Sequence, residues 1–241
     1  MKPILMIDPG HGGTDPGGGT NRYWKEKDLA LIISLYQYER FQELGLPVLL
    51  TRDCDMTLQS NQRTQLVRDS GARYCISNHI NAGGGEGAEV IYSIYGDGKL
   101  ANRILDAMGK AGQVKRRVFT RTLPSNPLKD YYFMHRETGS VETVIVEYGF
   151  ADNEKDVKRL LNNWKDYAEA VIMAFCTHIG HGYVKTKEVN HDAWKYEGIE
   201  YLEANGILND PEGWKKKIDE PMPVWAVTLL MKKLHENLKG E

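Results

Sequence analysis

Over roughly the first 180 residues, short apolar runs alternate with longer stretches of three-to-four periodicity, a pattern few architectures satisfy. Residues 4–7 are apolar and are stopped by Asp8, Pro9 and Gly10, as in a short buried strand. Residues 26–44 carry Leu29, Ile32, Ile33, Tyr36, Phe41 and Leu44 at helical spacing, and Gly45 is a natural stop. Glu26 lies in the first turn, where a carboxylate complements the helix dipole. Residues 48–51 predict a second strand, 58–70 a second helix, 74–77 a third strand and 88–94 a fourth. A helix follows over 99–115. Residues 116–140, with Pro124 and Pro127, read as a long irregular stretch, of the kind that forms lids and substrate rims. A further strand covers 141–146. A long helix covers 154–178, with Val157, Leu160, Leu161, Ala168, Val171, Ile172 and Phe175 on its apolar face. Strand and helix in alternation specify an α/β fold: a mostly parallel twisted sheet flanked by helices.

Beyond Gly180 the character changes. Gly180, Gly182 and Lys185-Thr186-Lys187 mark a linker, and residues 194–205 and 223–238 each read as a helix. The chain is expected to divide into a domain over 1–180 and a small helical module over 181–241. Trp194, Trp214 and Trp225 fall in this module and read as core packing. Its small size makes it a marginal independent fold.

Several function classes fall away on composition. The net charge of −2 gives no strong pull toward nucleic acid or an anionic membrane surface. The longest apolar runs are far short of a membrane span, so no membrane insertion is expected. Cys54, Cys75 and Cys176 lack CxxC spacing, which argues against a disulfide framework and against a thiolate metal site. Lys2 is followed by too short an apolar run for a secretory signal, so synthesis in the cytoplasm is expected.

The chemistry gathers at strand ends. His11 sits between glycines after the first strand, and no Gly-Lys-Ser/Thr follows to make a phosphate loop. His79 follows the third strand, and Glu147 follows the strand over 141–146. In open α/β sheets ligands bind outside the carboxyl ends of strands. Glu26 opens the first helix and reaches the same edge. Two imidazoles and a carboxylate form an open zinc site with a fourth position for water, whose pKa the metal lowers to about 7. A second carboxylate then serves as general base and as proton donor to a leaving amine. Spacing alone does not say which glutamate takes which task.

The motifs 8–13 (Asp-Pro-Gly-His-Gly-Gly), Glu26-Lys27, 49–52, 58–63, 77–81 (Ser-Asn-His-Ile-Asn) and 146–150 with Asn153 follow one another in the order seen in zinc-dependent N-acetylmuramoyl-L-alanine amidases. The chain resembles that family, which includes bacterial autolysins and phage endolysins, over residues 3 to 179. The resemblance implies that His11, Glu26 and His79 bind Zn²⁺ and that Glu147 is the catalytic carboxylate. It further implies hydrolysis of the amide joining the lactyl group of N-acetylmuramic acid to L-alanine in peptidoglycan. Asn81 and Arg63 are carried over as substrate-binding residues. Ile80 is bulkier than the residue the family often has there.

The remaining residues have plainer readings. His135 is expected to be a solvated loop histidine, and His178, His181, His191 and His235 surface residues. Glu142 is offset from Glu147 by an odd number and should point to the opposite face. Glu89 receives no role, and residues 215–217 read as a solvated turn. Phe133 and Met134 belong to a stretch that could set substrate preference. The C-terminal module weakly resembles wall-binding pieces of lytic amidases, and both wall targeting and homodimer formation are open to it. The expected protein is an amidase released to the wall, a phage or prophage endolysin before an autolysin. The rival readings are a zinc peptidase acting on the stem peptide and a non-catalytic wall-binding protein.

Overall fold

The structure is a computed structural model that describes residues 2–185, 193–208, 210–216, 227–229, 231–233 and 235. Two units are resolved in it, Met1–Lys185 and Thr186–Glu241. The first is built on a six-stranded sheet in the order β2-β1-β3-β8-β4-β5. Its strands are β1 (Leu5–Pro9), β2 (Val48–Leu50), β3 (Tyr74–Asn81), β4 (Ala88–Tyr92), β5 (Lys115–Phe119) and β8 (Glu142–Phe150). All neighbours are parallel except β4 and β8, which run antiparallel.

Alternation along the strands divides the apolar residues between two faces. On one face Leu5, Ile7, Ile76, Val90, Val144 and Val146 pack against α1 (Glu26–Glu43), α3 (Lys99–Lys110) and α5 (Glu154–Ile179). On the other, Met6, Cys75, Ile91 and Ile145 pack against Val67 of α2 (Ser60–Asp69) and Met134 of α4 (Phe133–Arg136). This second layer is thin, and toward the carboxyl ends of β1, β3 and β8 it leaves the sheet open.

The structure departs from the sequence expectations in informative places. Residues 116–140 are not irregular: β5 joins the sheet, β6 (Thr122–Leu123) and β7 (Asn126–Asp130) form a hairpin, and α4 follows. The third helix stops at Lys110, because Gly112 adopts φ 98° and Lys115 already belongs to β5. Ile32 and Leu161 lie exposed, whereas Lys27, Gln37 and Arg40 of α1 are buried by polar partners. Arg40 bonds Glu169 through Nε and Nη2, at 3.2 and 2.9 Å, and Nη2 also donates to the Val184 carbonyl at 3.0 Å. Tyr183 donates to Glu169 at 2.8 Å, and the His181 ring lies 2.9 Å from the Leu44 carbonyl. Residues 181–185 therefore finish the first unit, five beyond the expected boundary, and His181 is docked rather than free at the surface. His178 packs edge-on against Tyr74.

In the second unit, α6 (Ala193–Ala204) matches the expected helix and buries Ile199, with Leu208 buried just after it. A short helix α7 (Pro211–Lys216) takes in Lys215 and Lys216, which the sequence suggested for a turn. Of the helix expected over 223–238, residues 227–229, 231–233 and 235 are helical, and the rest lie outside the described residues, as do Trp225, His191 and Lys217. No helix among the described residues is long and apolar enough to cross a membrane.

Candidate active site

The site is assembled from three neighbouring elements. β1 ends at Pro9, and His11 follows with φ 59°, the only non-glycine residue with positive φ among those described. That left-handed backbone is held from below. Arg63 of α2 donates to the Pro9 carbonyl at 2.7 Å and to the His11 carbonyl at 2.6 Å, and Arg52 donates to the Pro9 and Gly10 carbonyls at 3.1 and 2.8 Å. Asp8, fully buried, accepts from Arg63 at 2.5 Å and from Thr51 and Ser77 at 2.6 Å each. These charge-assisted bonds fix the turn. Gly10 lies against the His79 ring, and a Cβ there would sit 2.4 Å from it.

Glu26 enters from the first residue of α1, behind a loop that crosses it at Gly17, whose φ is 84°. Its Oε2 accepts from the Gly19 amide at 2.7 Å and its Oε1 from the Ile80 amide at 3.0 Å. The same Oε1 lies 3.1 Å from His11 Nε2 and 3.0 Å from His79 Nδ1. His11 Nδ1 is 2.7 Å from Asp15 Oδ2, which orients the ring. The ligating atoms of His11, Glu26 and His79 all lie within 4.8 Å of one another, the one such metal-sized cluster among the described residues.

The electrostatics fit a cation. Although burial opposes it, the two imidazoles hold Glu26 well below the usual carboxylate range. Burial works against the His11 cation, but Glu26 and Asp15 together push its pKa up to about 9. A carboxylate between two imidazoles is a set of groups that positive charge holds together. A divalent ion with nitrogen and oxygen preferences suits these donors.

Glu147 lies in β8, directly paired with His79 of β3. It is half-buried, and its Oε2 is buried with no hydrogen-bond partner. Burial raises its pKa to about 7, opposed by His79 and reinforced by Glu26 and Glu89. His11, Glu26, His79 and Glu147 line one cavity of about 440 Å³, with Tyr132, Phe133 and Met134 on its far wall. What sequence placed after the strands thus sits inside them, since β3 runs on to Asn81 and β8 to Phe150.

The model of the N-acetylmuramoyl-L-alanine amidase family matches residues 5–179. The chain belongs to that family. It is 34% identical over 158 residues to the N-acetylmuramoyl-L-alanine amidase CwlM of Bacillus licheniformis, covering 65% of this chain and 60% of that one. It is 31% identical over 170 residues to the sporulation-specific amidase of Bacillus subtilis, covering 65% and 59%. The endolysin of Bacillus phage SPP1 is 35% identical over 91 residues, 37% of this chain and 33% of that one. The chain thus spans about three fifths of the two Bacillus relatives. Among solved structures, Cwp6 from Clostridium difficile superposes with a TM-score of 0.66 at 28% identity, covering 74% of this chain and 29% of that one. The catalytic domain of the amidase CwlV from Bacillus (Paenibacillus) polymyxa superposes with a TM-score of 0.65 at 24% identity, covering 75% and 99%, and shows the fold.

Within this family's fold the other expected site residues stand as follows. Arg63 and Asn81 both line the cavity. Arg63 is buried, with both terminal nitrogens bonded to Asp8, Pro9 and His11, so it shapes the His11 turn from beneath. The Asn81 amide donates to Glu89 at 2.9 Å. Glu142 extends from the opposite face to Glu147, in keeping with its odd offset. His135 is a correction: it is 8% exposed in α4, with both ring nitrogens unpartnered, because α4 folds back over the Met6 and Ile145 layer. Cys54 is exposed and Cys75 and Cys176 are buried, and none of them belongs to the His11–Glu26–His79 cluster. Sequence reasoning missed Asp15 and Asp8, which only the fold brings to His11 and Arg63; Asp15 did carry a signal, four residues after His11.

Proposed function

We propose that the protein hydrolyses the amide between the lactyl group of N-acetylmuramic acid and L-alanine in peptidoglycan, with His11, Glu26 and His79 holding Zn²⁺ and Glu147 as the catalytic carboxylate. The observation that carries this is the convergence of the three ligating groups within 4.8 Å, with Glu147 the immediate strand neighbour of His79. When bound, zinc supplies a Lewis acid for the scissile carbonyl and lowers the pKa of water.

The chain's own residues account for the rest. Asp15 accepts a proton bond from His11 Nδ1 and so directs Nε2 toward Glu26. The Gly19 and Ile80 amides keep the Glu26 carboxylate in place. Glu147, with a pKa near 7 and a free buried oxygen, takes a proton from the attacking water and returns it to the alanine nitrogen as the amide breaks. The thin α2–α4 layer leaves the cavity open on one side for a polymeric substrate.

Mass spectrometry of digested wall tests this reading. Glycan strands with free lactyl carboxyls and intact peptides beginning with L-alanine are expected; shortened peptides would point to a stem-peptide peptidase, and unaltered wall to a binding protein.

We place the protein with endolysins before autolysins; the likeness to the SPP1 endolysin, over 37% of this chain, supports an endolysin role in part. In that setting the chain is made in the cytoplasm and acts on the wall once released. Residues 186–241 then serve wall targeting or dimer formation, roles consistent with a separate small helical unit.

A further inference from the structure

β5 meets β4 through a bulge. Ala88 pairs with Lys115 and Glu89 with Arg117, leaving Arg116 as the extra residue. Bulges re-aim side chains, and this one turns two consecutive arginines onto one carboxylate. Glu89 is 2% exposed. Its Oε1 accepts from Arg116 Nη1 at 2.6 Å and from Arg117 Nε at 2.7 Å, while Oε2 accepts from Asn81. Two guanidinium groups on one carboxylate leave a net positive charge at the rim. The Arg117 guanidinium lies 4.1 Å above the Phe119 ring, which fixes its plane. Its side chain is 54% exposed, and among the described residues its terminal nitrogens make no hydrogen bond.

The register puts this cation in line with the active site. His79 pairs with Glu147, Glu147 with Glu89, and Glu89 with Arg117, a single row across β3, β8, β4 and β5. Paired residues share a face, so all four side chains leave the sheet on the side of the cavity. At about 4.8 Å per strand, Arg117 lies about 10 Å from Glu147. An extended peptide advances about 3.5 Å per residue. A peptide lying along the row from a bond broken at Glu147 therefore brings the carboxyl of its second residue within reach of the open guanidinium edge. That edge is a planar two-donor fork matched to a carboxylate.

We propose that Arg117, held by Glu89 and backed by Arg116, is a cationic subsite for a free carboxylate on the second residue of the stem peptide, and that it sets a preference for walls in which this carboxyl is not amidated. The proposal rests on the amidase reading above.

The test uses two muropeptides identical except at that carboxyl, free in one and a carboxamide in the other. The full chain loaded with zinc is expected to cleave the free acid with a kcat/KM at least about fivefold higher, the difference falling in KM. Arg117→Gln is expected to bring the ratio close to one, and Arg117→Lys, which keeps the charge without the fork, to recover part of it. The ratio is internal to each preparation, so a loss of folded protein does not alter it. A wild-type ratio near one, or a ratio that Arg117→Gln leaves unchanged, overturns the subsite while the amidase reading stands. Cleavage of neither muropeptide by the wild type overturns both.

Discussion

His79 and Glu147 are register partners on adjacent parallel strands, so an imidazole of the His11–Glu26–His79 cluster and a carboxylate with an unpartnered oxygen leave the same face of the sheet about 4.8 Å apart. Two groups so placed can share one substrate without sharing one job. Glu147→Gln keeps the shape and removes the proton-accepting charge. Activity on purified wall is expected to fall about a hundredfold to ten-thousandfold, while zinc content by elemental analysis stays at one per chain. Wild-type activity in this variant would remove Glu147 from the proposal.

Metal content separates ligands from their supports. His11→Ala is expected to lose the zinc altogether. Asp15→Ala removes the partner of His11 Nδ1 and the acceptor of the Gly17 amide, and competition with a chelator is expected to show affinity about 10- to 100-fold weaker. Full zinc in His11→Ala would falsify the ligand assignment.

Asp8 and Arg63 test the base of the turn. Asp8→Asn leaves the buried Arg63 without its counter-charge and is expected to cost about 3–5 kcal/mol, lowering Tm by roughly 10 °C. The pH dependence has a definite sign. Burial raises the Asp8 pKa, but Arg63, Ser77 and Thr51 more than offset this and hold it below 3.8. The stabilisation is therefore complete above that pH and is lost as pH falls through the lower folded value. Melting curves of the variant should lack this acid component.

His135 titrates in a different window. Burial pushes its pKa from 6.5 down to about 4, against the pull of Asp130. Between those values the unfolded chain binds a proton that the folded chain refuses, so stability is full above 6.5 and declines toward 4, by about 3 kcal/mol at most. His135→Leu should flatten Tm between pH 7 and pH 4 relative to wild type. An unchanged slope would mean the ring is not buried neutral.

The end of the first unit can be located by truncation. A chain ending at Gly180 loses the Tyr183–Glu169, Arg40–Val184 and His181–Leu44 bonds. It is expected to be less stable than one ending at Lys185 by about 3–4 kcal/mol, at about 1 kcal/mol or a little more per bond. If residues 186–241 target the wall, the Lys185-ended chain should sediment less with purified wall than the full chain. If instead they drive dimer formation, light scattering should show the change.

The sequence by itself determined the layered α/β fold, because alternating apolar runs and helical stripes leave few ways to bury both. It also placed His11, Glu26, His79 and Glu147 at one sheet edge, since their motifs sit where apolar runs stop. The ends of β3 and β8 were misread because Asn78, His79 and Glu147 are polar, and polarity reads as the end of a buried strand. Tertiary structure supplies the partners that let these residues stay in it: Ser34 and Gln37 of α1 bond Asn78, and Glu26 meets His79. It likewise decided that residues 116–140 form ordered structure, that His135 is buried, and that Arg63 faces the backbone. Each of these depends on contacts between segments far apart in the chain, to which local periodicity is blind. The row from His79 to Arg117 is the fullest case, for strand order and one bulge create it and no motif announces it.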